Sequence, residues 1–205
     1  IKYMVYSHHH FDHAAGGAPF KKAGATFIAH RNATARLKLL QNPDVVTPDI
    51  SIGDRHDIRL GGVTVELRYV GRNHSDSMIV MRVPKDKILF VVDIIPVEAL
   101  HFRDMADGYL PDWFASIDRI LEMDWERMIP GHPGPGGRLG TKDDARDVRA
   151  YMTDLLEATR KANAAGKCYD GAMAEITLPK YEKWAGYKQF LPGNIERFCE
   201  YWNGI

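Results

Sequence analysis

Several things are scarce in this chain of 205 residues, and each scarcity narrows what it does. Cysteine occurs twice, at Cys168 and Cys199, both in a stretch that reads as a helical tail. Small buried thiols are common in such tails, so plain packing is expected rather than a disulfide or a redox pair. Neither sign of charge dominates, because 27 Lys and Arg balance 27 Asp and Glu. A protein that grips a phosphate backbone shows a basic excess or stripe, so nucleic acid is not the expected partner. No apolar run approaches the ~20 residues needed to span a bilayer. Internal repeats and low-complexity segments are absent, and no signal or transit segment is visible; the chain opens at Ile1, inside an expected strand. Compartment and oligomeric state have no signature here.

What is present is a sequence of strands and helices in alternation, which predicts an α/β architecture. Lys2 to Ser7 reads as a short buried strand, and Asp12 as the cap of a helix running to about Gly24. Ala25 to Ala29 reads as a strand and Arg31 to Gln41 as a helix. Asp57–Leu60 and Val63–Leu67 flank Gly61-Gly62 as a hairpin, and Met78–Val83 with Ile88–Val92 form a second. Residues 94 to 111 have no clear period, as in a functional lid or wall. Asp112 to Met123 reads as an amphipathic helix and Glu126 to Ile129 as a strand. After a Gly/Pro-rich break at 133–140, Thr141 and Asp144 make a capping-box start for a helix that stops near Gly166, and Asn194 to Trp202 reads as a final helix.

The chemistry concentrates at His8-His9-His10-Phe11-Asp12-His13. Imidazole and carboxylate are the ligands that divalent metals such as zinc favour. Alternate residues of an extended segment point the same way, so His8 and His10 can face one metal, while Asp12 and His13 address a second as the chain turns. Three further candidates follow strands: His74 in Gly71-Arg72-Asn73-His74-Ser75, Asp93 at the end of Ile88–Val92, and His132 after Pro130-Gly131. A carboxylate ending a buried strand is costly unless paired. The glycine before His132 is expected to permit a tight turn.

These motifs together resemble the metallo-β-lactamase superfamily, over residues 1 to about 140. The resemblance implies an αββα sandwich, one metal held by His8, His10 and His74, a second by Asp12, His13 and His132, and Asp93 bridging both. It also implies that N-terminal strands are missing, since the histidine motif normally follows several. Many members carry Gly where Val92 stands, and Pro-Gly-Ser where Asp76-Ser77-Met78 stands. The Asp-bridged set looks like glyoxalase II and lactonases. The expected organisation is a catalytic domain over 1–140 with a helical extension over 141–205 packed on it.

The implied cofactors are two zinc ions, with iron or manganese also suited to a sulfur-free set. The implied function is hydrolysis of an ester, thioester, lactone or amide-like bond in a small molecule, Asp12 taking up the proton of the attacking water. A mono-iron persulfide dioxygenase and a β-lactam hydrolase are the alternatives. Arg72, His101, Arg103 and Tyr109 are candidate substrate contacts, His9 is a candidate support for the ligands, and His30 and His56 are read as structural. The aromatic tail (Tyr181, Trp184, Tyr187, Phe190) is expected to pack rather than grip a ligand.

Overall fold

Side-chain alternation along the strands decides which layers form. The computed structural model describes residues 1–132 and 134–204; Pro133, the first residue of the expected Gly/Pro-rich break, and Ile205 lie outside the described residues. Strands β1 (Tyr3–Val5), β2 (Thr26–His30) and β3 (Ile50–Ile52) make a parallel sheet in that order. Phe27 and Ala29 point to one face and pack with Ala14 of helix α1 (Phe11–Ala14) and with Ala33 and Leu37 of α3 (Arg31–Leu40); α2 (Ala18–Lys22) lies between those helices in sequence. Ile28 points the other way. It meets Leu67 and Ile79 of a five-stranded sheet, ordered β4 (Arg55–Leu60), β5 (Val63–Tyr69), β6 (Ile79–Val83), β7 (Ile88–Val91) and β8 (Arg127–Pro130).

The far face of that second sheet, carrying Val80, Leu89, Val91 and Met128, is covered by helices. These are α4 (Leu110–Glu122), α5 (Lys142–Ala164), α6 (Asp170–Glu175) and α7 (Tyr187–Trp202). The result is an α/β sandwich of two sheets between two helical layers, with a helical C-terminal region. Its largest core runs without interruption from Val70 and Val91 through Trp113 and Ile117 to Tyr151, Ile195 and Phe198.

Strand polarity gathers the loops that matter. β5 and β7 each pair antiparallel with β6, so they run the same way, and β8 is parallel to β7. The segments that follow β5, β7 and β8 therefore leave the sheet at one edge. The start of β6 docks at that edge on the end of the first sheet, where the Ile79 amide donates to the Ser7 carbonyl at 2.9 Å.

Three expectations need correction. The first helix does not run from Asp12 to Gly24: it caps at His10, stops at Ala14 and resumes at Ala18. Gly16, at φ +77°, turns the chain so that its amide donates to the Asp44 carbonyl at 3.1 Å, and that contact outcompetes a further helical turn. The last helix begins at Tyr187 rather than Asn194, with Pro192 inside it. Cys168 and Cys199 do not merely pack; they form a disulfide, with Cα atoms 5.5 Å apart. α7 lies along α5, Tyr151 donating to Asn194 Oδ1 at 2.8 Å and Trp202 Nε1 to Thr159 Oγ1 at 3.1 Å. That pairing brings Cys199 to the loop after α5, a proximity invisible at a separation of 31 residues. The capping box is as expected, Thr141 and Asp144 bonding reciprocally, and Arg138 adds a bidentate pair to the same carboxylate at 3.0 and 2.6 Å.

The disulfide closes a sizeable loop, so Cys168→Ser should lower the unfolding free energy by roughly 2–4 kcal/mol. Urea unfolding checks this. Dithiothreitol should produce the same loss in the wild-type protein and no further loss in the variant.

Candidate metal centre

Each predicted ligand sits just beyond the C-terminal end of a strand. His8 and His10 follow β1, and Asp12 and His13 lie on the short helix α1. His74 follows β5, Asp93 follows β7 and His132 follows β8. The ligand atoms fall into two groups, His8/His10/His74 and Asp12/His13/Asp93/His132, the atoms of each lying within 4.8 Å of one another. All seven sequence-predicted ligands are thus brought together.

Asp93 lies between the groups. Its Oδ2 is 2.8 Å from His13 Nε2 and 3.6 Å from both His8 Nε2 and His74 Nε2, and its Oδ1 is 3.4 Å from His132 Nε2. Asp12 Oδ2 closes the second group, at 3.1 Å from His13 Nε2 and 3.2 Å from His132 Nε2. Burial grades across the site: His8 is fully buried, while the Asp12 and His132 side chains are 57% and 67% exposed, so the second group is open to solvent on its Asp12 and His132 side.

Backbone geometry aims Asp93. The residue has φ +58°, rare for a side chain other than glycine, and Ile94 N–H donates back to the Val92 carbonyl at 2.7 Å, making a tight three-residue turn. Trp113 Nε1 holds the next carbonyl, that of Ile94, at 3.0 Å. Gly131 matters for a reason other than the expected turn. A Cβ there would lie 2.7 Å from Asp93 Oδ1 and 2.5 Å from Val92 Cγ1, so only glycine lets β8 deliver His132 this close.

The electrostatics suit a metal. Burial, reinforced by His74 and His10, pushes His8 far below the ordinary imidazole range, and burial holds His74 down at about 4. Both are therefore neutral donors at pH 7. Burial opposes charge on His13, yet the Asp93 hydrogen bond and the Asp93 and Asp12 charges together raise it. Burial likewise disfavours the Asp93 carboxylate, but His13, His74 and His132 outweigh it and keep Asp93 below its ordinary value.

Several atoms ask for a cation. His8 Nδ1 is engaged by Ser7 Oγ at 3.0 Å, leaving Nε2 buried without a hydrogen-bond partner among the described residues; Asp93 Oδ1 is in the same position. Facing ring nitrogens approach to 3.0 Å (His10 Nδ1, His74 Nε2) and 3.2 Å (His13, His132), contacts that a shared cation satisfies. The donors are nitrogen and oxygen only, the set that zinc accepts and that iron and manganese also tolerate. The residues fit a metal pair.

Supporting residues divide into those foreseen and those missed. His9, foreseen, donates or accepts at Ser77 Oγ, 2.9 Å away, and Ser77 bonds Ser75 at 2.8 Å. Asp76 is clamped by Arg36 through two bonds of 2.8 Å. The departures from the family's Pro-Gly-Ser are thus used within this chain to tie the His74 loop to α3 and to His9. Asp107 was missed: its Oδ2 lies 3.1 Å from His10 Nε2, across 97 residues. His9, His10 and Asp107 form a third close group, but His10 turns its Nδ1 to His74, so its Nε2 carries the hydrogen that Asp107 accepts. No local signal marks Asp107 beyond its place in the irregular 94–111 segment.

A cavity of about 890 Å³ opens from this cluster. His101 and Arg103 line it, as expected of substrate contacts. Arg72 and Tyr109 are not among its lining residues: Arg72 pairs with Asp112 at 2.6 Å and stacks on the Tyr109 ring at 4.8 Å. Burial pushes the neighbouring His101 down to about 3, and its Nε2 has no hydrogen-bond partner among the described residues. His30 is structural as expected, stacked on Tyr69 at 4.4 Å. Of the aromatic tail, Tyr181 and Trp184 pack against Tyr151, and Phe190 packs against the main core while also lining the cavity.

Comparison with known proteins agrees with this picture. Over 131 residues the chain is 26% identical to the 2,4-dinitroanisole O-demethylase subunit alpha of Nocardioides sp. (strain JS1661), covering 63% of this chain and 39% of that protein. Over 158 residues it is 27% identical to a metallo-beta-lactamase type 2 of Bacillus sp. (strain 170), covering 75% and 57% respectively. The chain thus spans about two fifths to three fifths of the length of these relatives. Among solved structures, a metallo-beta-lactamase from Pontibacter korlensis superposes with TM-score 0.65 at 20% identity, over 75% of this chain and 70% of that one. A double mutant of the sec-alkyl sulfatase PisA1 superposes with TM-score 0.75 at 18% identity, over 100% of this chain and 42% of that one. The sequence profile of the metallo-beta-lactamase superfamily matches residues 1–132, which carry all seven candidate ligands, and the chain belongs to that superfamily.

Proposed function

We propose that this protein is a dinuclear metal-dependent hydrolase that cleaves an ester, thioester, lactone or amide-like bond in a small-molecule substrate. The observation that carries the reading is Asp93, one carboxylate within 3.6 Å of imidazoles from both ligand groups, lining a large cavity. His8, His10 and His74 would hold one ion and Asp12, His13 and His132 the other, with the Asp93 carboxylate shared between the two groups. Zinc is the first choice for these donors. Divalent ions bound there supply electrophilic assistance to a carbonyl and a nucleophile at neutral pH.

The chain's own residues do the rest. Asp12, exposed at the second group, accepts the proton of the attacking water and orients it. His101 lines the cavity, while its buried Nε2 has no hydrogen-bond partner among the described residues. Asp107 fixes the His10 tautomer, the carboxylate–histidine–metal arrangement that orients a ligand ring. The deciding experiment is metal analysis followed by a hydrolysis panel of thioesters, lactones and β-lactams. Relatives add 2,4-dinitroanisole and secondary alkyl sulfates to that panel by their names. A single iron with thiol-dependent oxygen uptake would overturn the hydrolase reading in favour of a dioxygenase.

Asp93→Ala should reduce bound metal from two ions to one or none and lower kcat/KM by at least about 10²-fold, a loss of the size seen when one electrostatic group leaves an active site. Unchanged metal content and turnover would refute bridging. Asp107→Ala should weaken metal binding by roughly 10- to 100-fold in chelator competition. Asp107→Asn, whose side-chain carbonyl still accepts from His10 Nε2, should recover much of that affinity; equal losses in both variants would remove Asp107 from this role.

A further inference from the structure

The cavity beside the metal ligands has two unlike ends. At one end stand His10, Asp12, His74, Asp93 and His132. Away from them the lining turns apolar. Ile95, Leu100 and Met105 come from the irregular segment after β7 and are buried in the core, and Phe190 comes from α7. The mouth is formed by Phe11 of α1, Leu40 of α3 and Phe102, which are 56%, 63% and 62% exposed. Three large exposed apolar side chains from three separate elements converge on one opening, whereas singly scattered ones would need no explanation. Phe102 meets Phe190 edge-on at 5.1 Å, making an aromatic wall.

Three charged residues, Arg103, Asp104 and Asp107, share the lining. The Arg103 guanidinium lies 4.8 Å from the Phe102 ring, and Asp107 is bonded to His10. A charged group placed directly against Phe102, Phe190 and Leu40 would lose its hydration to apolar walls. A hydrocarbon group placed there would instead cover exposed apolar area, and the volume of about 890 Å³ accommodates it together with a reacting centre at Asp93.

We infer that the substrate carries a medium-length alkyl, acyl or aryl arm, seated against Phe102, Phe190, Phe11 and Leu40 while its scissile bond lies at Asp93 and His132. This inference rests on the hydrolase reading for the position of the scissile bond, but the apolar arm can be tested without turnover. Two measurements on the metal-loaded protein serve. In the first, p-nitrophenyl acetate, butyrate, hexanoate and octanoate share one leaving group and differ only in the acyl chain. kcat/KM should rise roughly two- to fourfold per added methylene until the wall is filled. Phe102→Ser and Leu40→Gln should each reduce the octanoate-to-acetate ratio of kcat/KM.

In the second, calorimetric titration compares butanoate, octanoate and octanedioate as non-reacting probes. Octanoate should bind at least about tenfold more tightly than butanoate. Octanedioate, with a second carboxylate directed at the apolar wall, should lose most of that gain. Chain-length-dependent binding with no turnover of these esters or of any member of the hydrolysis panel would sink the hydrolase reading and keep the apolar arm. Turnover and binding that are both indifferent to chain length would overturn the arm and leave the hydrolase reading standing. A chain-length preference that survives unchanged in Phe102→Ser and Leu40→Gln would also overturn the assignment of this wall.

Discussion

A largely buried carboxylate surrounded by imidazoles organises the molecule. Ionised Asp93 at this depth would cost several kcal/mol if left alone. His8, His13, His74 and His132 all bring a ring nitrogen near it, and the influence of His13, His74 and His132 outweighs burial. Four rings from three segments can meet Asp93, on a fourth, only if all four segments end at one edge of the sandwich. The mutual direction of β5, β7 and β8 guarantees three of them, and the docking of Ile79 on Ser7 brings in the fourth segment. The positive φ of Asp93 and the missing side chain at Gly131 are the local accommodations that this crowding requires.

Around that centre the molecule separates holding from exposing. Fully buried His8 and half-buried His74 are neutral donors, whereas Asp12 and His132 are largely exposed members of the cavity lining. The supports are drawn from distant parts of the chain: Ser7 on His8, Asp107 on His10, and the Ser75–Ser77 pair on His9. A rigid ligand set next to an accessible carboxylate is the division of labour that hydrolysis of a small molecule calls for.

The C-terminal helices take part in this site rather than sitting beside it. Asn194 of α7 donates to the carbonyls of His101 and Arg103, at 3.0 and 2.6 Å, and accepts from Tyr151 of α5. The wall that follows Asp93 is therefore shaped from behind by the tail, and Phe190 completes its apolar surface. The disulfide ties α7 to the end of α5 and so bears on the same wall.

Local patterns in the sequence determined a good deal. Strand alternation, the Gly61-Gly62 hairpin, the Thr141–Asp144 capping box and the compact spacing of His8, His10, Asp12 and His13 are all short-range facts, legible because neighbours along the chain are neighbours in space. The resemblance then pointed to His74, Asp93 and His132, which the fold assembles at one edge. Only the tertiary structure decided the break at Gly16, the disulfide, the pairing of Asp107 with His10, the removal of Arg72 and Tyr109 from the cavity, and the place of Phe190 in its wall. Each of these turns on a contact between residues distant in sequence. Such contacts are set by how whole layers pack, and layer packing leaves no mark on the few residues to either side.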